Sequence, residues 1–385
     1  MCIRDSTRQA PFEGSFRVTA LHPRPKAARF YGEFDKKQET TSMICSRLFF
    51  RLTIVLMALL SAACSPDRMI GNQLRNFTIE HALPVILKFD DITVICHAND
   101  GMAPLVMSFT QFGVETDLML AFGLAGSSIC LENDAVEKEL WSTMAERQGW
   151  ANTAMDARLA QQILNRDAGL RQIRAYDHTT AYFKKQYDYT FGEGQCPKLK
   201  QEVEELLLLV GATAALQALQ NDVSSGRLIN VDMAIPPKIV RAMSCLDNQK
   251  WWGFPKSVQA ALTVILPESP EAELQGWKDL QTAAEEGDKA GMRLSHATYA
   301  VVASIKGRDD RLRDALKRFE AIPKERINKD YLLLDQLADL VMRHIADRFW
   351  MRFEGHRAPT ENYSKFWDEK EQPSATLDAT MLDTM

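Results

Sequence analysis

The segment 198–222 constrains the fold of this chain more than any other segment. It carries four consecutive leucines from Leu206 to Leu209, and alanine and leucine dominate the two turns that follow them. Apolar residues therefore cover nearly every side of the helix that this segment predicts. A helix without a polar face has to be buried. Its length is that of a central buried helix and not of a membrane span, so the rest of the chain has to enclose it.

Most of the remaining chain shows the same helical spacing. Apolar positions recur with a period near 3.6 residues, and no stretch shows convincing alternation with a period of two. This pattern predicts helices over 72–96, 104–131, 133–148, 153–187, 198–222, 236–245, 257–266, 277–286, 289–306, 309–321 and 328–351. A turn is expected at 99–101 and a break near 167–169. The predicted fold class is all-α.

The last third of the chain consists of predicted helix pairs separated by Gly287, Gly307 and Pro323. Consecutive pairs of similar length are typical of TPR-like helical-hairpin arrays. The tetratricopeptide consensus residues are absent at their fixed offsets. The architecture is therefore expected to be either a TPR-like array or an irregular α-bundle.

A secretory signal is predicted at 43–63. Arg47 and Arg51 lead into an apolar core at 52–60, which is too short to cross a bilayer as a permanent helix. Small residues then lead to Cys64, an order that resembles the bacterial lipobox, with Ser61 where leucine is usual. In lipobox proteins the cysteine is diacylated and becomes the first residue after cleavage. A plain cleaved signal and an uncleaved anchor are the alternatives.

The lipobox resemblance implies a location and a set of boundaries. An Asp after the cysteine favours the inner membrane, so Ser65 indicates a lipid anchor in the outer membrane of a Gram-negative bacterium, with the body in the periplasm. Residues 1–42 are polar and precede the signal, although such signals stand at the N-terminus. They are expected to be a disordered, non-native leader; the alternative is a cytoplasmic extension. One helical domain is expected at 64–369, with a subdivision allowed near 192–197 and a disordered tail at 370–385.

Charge excludes one class of partner. The formal net charge is −5, and the 46 basic residues are scattered along the chain. A nucleic-acid-binding protein would show a basic face, and an exported lipoprotein does not meet nucleic acid. No nucleic-acid partner is expected, whereas a homo-oligomer is compatible with this composition.

Four cysteines follow Cys64, namely Cys96, Cys130, Cys196 and Cys245. In an oxidising periplasm this even number predicts two disulfides, for which three connectivities exist. We favour the local pairs Cys96–Cys130 and Cys196–Cys245, each stabilising the fold by roughly 3–4 kcal/mol through loop closure. Four buried free thiols are the alternative. The wide spacing excludes a zinc site of the usual kind.

Two segments combine aromatic residues with glycine and proline, and functional contacts concentrate on loops of this kind. The turn at Trp251 and Trp252 predicts either a stacking platform for a sugar or organic acid or a roof over the core. The second segment lies within 348–367. Its positive charge suits a carboxylate ligand through bidentate contacts; the residues are Arg348, Arg352, His356 and Arg357.

We expect these two segments to meet in space and to form the recognition surface. For the second segment taken alone, the favoured interpretation is structural: a C-terminal extension that is tied down by aromatic anchors, with arginines stacked on rings.

Enzyme signatures are missing from the sequence. There is no G-x-S-x-G motif, and His344 with Asp347 supplies only half of a metal site without an H-E-x-x-H motif. We therefore predict no catalytic residue, no metal and no cofactor. A cell-envelope hydrolase with an unrecognised active site is the alternative.

The lipobox at Cys64, the helical body and the alanine-rich helix pairs resemble the T component associated with TRAP transporters. That family consists of periplasmic lipoproteins with a TPR-like fold that assist substrate-binding proteins for organic acids. The resemblance covers 64–351 in architecture, and the lipidated cysteine carries over onto Cys64. It implies a non-catalytic scaffold or accessory binding protein whose partner is a periplasmic protein or a small organic acid.

Overall fold

The computed structural model describes residues 66–369, and the all-α prediction is confirmed for them. This part of the chain forms helices joined by turns and loops, without a strand. The segments predicted as leader, signal and disordered tail, together with Cys64, lie outside the described residues.

The helices follow one another with short connections. The first group comprises α1 (Pro66–Phe77), α2 (Leu83–Leu87) and α3 (Ile92–Ser108), with a π-helical turn at Thr78–Ala82 and a 3₁₀ turn at Phe109–Phe112. The second comprises α4 (Asp117–Arg147), α5 (Ala151–Tyr187), α6 (Glu202–Ser224), α7 (Ile235–Met243) and α8 (Phe254–Ile265). The third comprises α9 (Pro270–Ala290), α10 (Leu294–Ile305), α11 (Asp309–Glu320) and α12 (Leu332–Phe353).

Helix α6 is the central buried helix that the sequence predicts. Its four leucines are at most 4% exposed, and Ala212, Ala215 and Ala218 are fully buried. Gly211 permits the close approach of α5, since a Cβ there would lie 2.4 Å from Thr179 Oγ1. Within residues 66–369 no helix combines the length and apolarity needed to cross a membrane.

Two apolar cores lie in this body. The first surrounds α6 with α4, α5, α7 and one side of α8. The second lies between the other side of α8 and the helices from α9 to α12. The segment 192–197 does not separate them, because Phe191 before it and Leu206 after it belong to the same core.

The expected turn at 99–101 is wrong, because α3 continues through it and through Pro104. Asn99 packs its side chain against α4, where a Cβ on Gly126 would lie 2.3 Å from Asn99 Nδ2. The predicted break in α5 is also absent, since Gly169 lies in the helix against Ile229. In both places tertiary packing overrides the turn preference of glycine and asparagine.

The favoured cysteine pairs both lie at disulfide distance. The Cα atoms of Cys96 and Cys130 are 6.0 Å apart, and this pair joins α3 to α4. The Cα atoms of Cys196 and Cys245 are 5.3 Å apart, and this pair joins the connection before α6 to the end of α7. Both separations fall within the range of disulfides in proteins.

The C-terminal end of α6 is tied to the next loop by Asp222, which is fully buried. Its carboxylate accepts hydrogen bonds from the backbone N–H groups of Ile229, Asn230 and Val231 at 2.9, 3.0 and 3.2 Å. Burial on its own would raise the pKa of Asp222, but these donors together with Arg227 hold that pKa below its usual value.

We predict that Asp222→Ala lowers the free energy of unfolding by about 2–4 kcal/mol at pH 7, because three backbone N–H groups lose one fully buried, charged acceptor. The depressed pKa gives stability that is present above the unfolded value near 3.9 and is lost as the pH falls through the lower folded value. The difference from wild type in urea unfolding should therefore shrink below about pH 4. Asp156→Ala, on the exposed side of α5, is the matched control; equal losses in both variants would contradict the assignment.

Candidate functional site

Trp251, the first residue of the predicted platform, lies in the core. Its side chain is 1% exposed, and its indole N–H donates to Glu205 Oε2 at 2.6 Å. Lys250 Nζ lies 2.9 Å from the other oxygen of Glu205. The ring therefore closes the first core beneath the N-terminal turn of α6, and no face of it is open to a ligand.

Trp252 is half-buried and has a left-handed backbone with φ of 53°. Its ring packs at steep angles against Trp251 and Tyr331, with centroid distances of 5.3 and 4.6 Å. The Tyr331 hydroxyl donates to Glu202 Oε1 at 2.6 Å. Ring packing and hydrogen bonds at the turn of Trp251 and Trp252 therefore connect the start of α6 to Tyr331, the residue that precedes α12.

The arginines of the predicted carboxylate site are already paired within the protein. Arg348 makes three contacts of 2.9–3.0 Å with Glu139 of α4. Arg357 forms a bidentate pair with Glu137 at 2.5 and 2.7 Å, and Arg352 pairs with Asp309. Carboxylates of this chain thus take the place that the sequence analysis gave to a ligand.

The titratable groups around these arginines also serve the fold. His344 Nε2 lies 3.0 Å from Asn133 Oδ1, and burial together with the nearby Arg348 lowers the pKa of His344 to about 4. Asp347 accepts from the backbone N–H of Ala358 at 3.1 Å, and burial raises its pKa. Their polar atoms point to separate partners and do not converge on a metal position.

Aromatic anchors tie the C-terminal extension to the second core. The Trp350 indole N–H donates to the carbonyl of Tyr363 at 3.0 Å. Phe366 is 2% exposed, and the Arg313 guanidinium lies 4.5 Å from its ring centroid. The exposed His356 stays at the edge of this cluster, with its ring centroid 5.7 Å from that of Trp350. These contacts support the structural interpretation of the extension.

The expected meeting of the two segments is wrong. Trp252 contacts Tyr331, immediately before α12, whereas Arg348 lies near the far end of that helix. Seventeen residues separate Tyr331 from Arg348, which corresponds to about 25 Å along a helix. Carboxylates of α6 bind the first segment, whereas carboxylates of α4 and of α11 bind the second.

A polar cavity of about 210 Å³ lies beside α1. Its lining includes Arg75, Lys200 and Glu204. Glu204 accepts from the hydroxyls of Tyr182 and Tyr187 at 2.8 and 2.6 Å, and it also caps α6 by accepting from two backbone N–H groups. The sequence analysis missed this cavity, although Gln201 followed three residues later by Glu204 is a capping-box pattern.

Five large apolar side chains are exposed in the part of the α4–α5 hairpin near its turn, and they are together called the hairpin surface. Its side chains are between 45% and 61% exposed; they are Trp141, Trp150, Met155, Leu159 and Ile163. The three residues on α5 are spaced by four, so they share one face of that helix. The sequence could have indicated these exposed residues. Met155, Leu159 and Ile163 repeat every four residues, on a different face of α5 from the buried stripe that includes Ala154, Ala157 and Gln161.

Comparison with protein families, with curated proteins and with solved structures finds no match for this chain.

We predict that Arg348, in the second aromatic segment, stabilises the fold. In a double-mutant cycle, Arg348→Ala and Glu139→Ala should show a coupling of about 1 kcal/mol, since the pair is bidentate and only about one third exposed. The Arg352–Asp309 pair is the control and should couple less, because its side chains are 52% and 41% exposed. Urea unfolding measures both; a coupling near zero for the first pair would contradict a structural role for Arg348.

Proposed function

We propose that this protein is a membrane-tethered, non-catalytic helical accessory protein that binds a protein partner through the hairpin surface. The observation that carries the proposal is the set of five large apolar side chains at the end of the hairpin, all near half exposed. Tryptophan and methionine are enriched at the centres of protein interfaces. Apolar patches of this kind on soluble bodies mark interaction sites.

The hairpin is well suited to present such a surface. Its two helices run for 31 and 37 residues and pack along each other. Near the turn, the Ser142 hydroxyl donates to the carbonyl of Ala154 at 2.9 Å and is itself buried. A surface on rigid helices loses little conformational entropy on binding, which favours affinity.

The resemblance to the T component of TRAP transporters suggests which partner to test. A component of that kind assists substrate-binding proteins for organic acids by contact and not by chemistry. The partner we propose is therefore a periplasmic substrate-binding protein, and the organic acid is bound by that partner. TRAP permease genes beside this gene would support this proposal, and their absence would count against it.

Lipid attachment at Cys64 is the first prediction that follows. Mass spectrometry of the protein from membranes should find a diacylglyceryl cysteine at residue 64. Cys64→Ser should move most of the protein to the soluble fraction, because stable anchoring needs more than one acyl chain or apolar contact. An unmodified Cys64, or a variant that remains wholly with the membrane, would contradict the anchor.

The second prediction concerns partner binding at the hairpin surface. Trp150→Ala combined with Leu159→Asp should weaken binding to the substrate-binding protein encoded nearest to this gene by at least about tenfold, since both side chains lie in the proposed contact. Calorimetry measures the affinity, and circular dichroism checks the fold. Leu274→Asp, on the exposed side of α9, is the control and should leave the affinity unchanged. Equal affinities of both variants would reject the hairpin surface.

A further inference from the structure

Helix α3 exposes an apolar face that no other described element covers. Val94, Met102 and Leu105 are each between 45% and 49% exposed, and Ala98 between them is also exposed. At 3.6 residues per turn these four positions fall within an arc of about 80°. They form a continuous apolar stripe along the helix, here called the α3 stripe.

The opposite side of α3 packs against the α4–α5 hairpin. Cys96 is fully buried at disulfide distance from Cys130 of α4, and Asn99 packs against Gly126. Asp100, the sole Asp, Glu, Lys or Arg of this helix, pairs with Arg171 of α5. The helix therefore uses one side to dock on the hairpin and leaves the opposite, uncharged side free.

The α3 stripe belongs to a wider concentration of exposed apolar side chains. Among residues 66–369, ten of the 22 large apolar side chains that are exposed lie between Met69 and Phe112. This region is the part of the described chain that follows Cys64 directly. Exposed apolar surface is thus gathered next to the proposed lipid anchor.

Covalent geometry keeps Cys64 close to α3. Gly71 of α1 packs against Val114 and Phe109, where a Cβ would lie 2.6 Å from Val114 Cγ2 and 3.2 Å from Phe109 Cδ1. Phe109 follows the last residue of α3. Two Cα–Cα steps before α1 and five steps within it limit the distance from Cys64 to Gly71 to about 15 Å. An acyl chain on Cys64 therefore enters the bilayer near the C-terminal end of α3.

We propose that the α3 stripe lies in the boundary between headgroups and acyl chains of the bilayer that holds the lipid on Cys64. This inference rests on the lipid anchor of the proposed function. No helix of residues 66–369, α3 included, is long and apolar enough to cross a membrane, so contact through the stripe places α3 along the membrane surface. Because the stripe contains no lysine or arginine, its contact with the membrane does not depend on anionic lipids.

The chemistry of the stripe favours lipid over a protein partner. Its side chains are aliphatic or thioether, so acyl chains can cover them without leaving a charged or strongly polar side-chain group unsatisfied. The hairpin surface, in contrast, contains two tryptophans. Protein interfaces need directional contacts for specificity, whereas acyl chains accept any apolar face.

Site-specific photocrosslinking in cells tests the inference with the full chain. Met102→p-benzoylphenylalanine and Leu105→p-benzoylphenylalanine place a photoreactive ketone on the stripe, and Leu274→p-benzoylphenylalanine is the matched control on an exposed helix face. After irradiation, mass spectrometry of the purified protein quantifies adducts with phospholipid and with protein. We expect phospholipid adducts at 102 and 105 in at least about tenfold higher yield than at 274, since an interfacial helix buries its apolar face several ångströms deep.

Protein adducts at 102 and 105, or lipid yields equal to that at 274, would overturn the inference. Wild-type fractionation and the mass of Cys64, measured in parallel, separate the two proposals. If Cys64 is acylated but positions 102 and 105 give no lipid adduct, the α3 inference alone fails. If Cys64 is unmodified and the protein is found in the soluble fraction, the proposed lipid anchor is rejected as well. Val94→p-benzoylphenylalanine replaces either stripe variant that loses helical circular dichroism.

Discussion

The burial of α6 is the constraint on which the rest of this structure depends. A helix with leucine or alanine on every side cannot face water, so α4, α5, α7 and α8 surround it. Its two ends still carry unpaired backbone groups, which have to be satisfied inside the protein. Just before the helix, Glu204 accepts from the backbone N–H groups of Lys200 and Gln201. After it, backbone N–H groups of the following loop donate to the last-turn carbonyls of Asn221 and Asp222, and the Asp222 carboxylate holds that loop by accepting from Ile229 and Asn230. Two buried carboxylates thus fix the segments that enter and leave this apolar helix.

Polar groups also join the three long helices around this core. Glu132 of α4 accepts hydrogen bonds from Gln172 of α5 and Asn221 of α6, at 2.8 and 2.7 Å. Burial raises the pKa of Glu132 even though both amides and the more distant Arg348 favour its ionised form. Such a network fixes how the helices are aligned along their axes, which leucines and alanines alone leave poorly specified.

The sequence predicted the helical class, the central helix and both cysteine pairs, because these depend on local spacing and on the number of cysteines. The sequence-based prediction failed at residues whose type is compatible with two different structural roles. Asn99 and Gly169 are residues typical of turns, yet close packing against Gly126 and Ile229 holds them inside helices. Trp251 and Arg348 read as ligand contacts, yet Glu205 and Glu139 satisfy them. Those glutamates are 46 and 209 residues away in the chain, and no local pattern reveals such partners.

Helix α8 has a consequence for how substitutions spread through the molecule. Val258 and Leu262 belong to the first core, while Ala260, Ala261 and Val264, on its other side, belong to the second. Because this one 12-residue helix packs against both cores, a shift of the helix changes the packing of both. A larger side chain at the buried Ala261 would have to displace the helix, and such a displacement would disturb the packing of both cores. Substitutions in α8 therefore act on both cores at once, so the stabilities of the two halves are coupled through this helix.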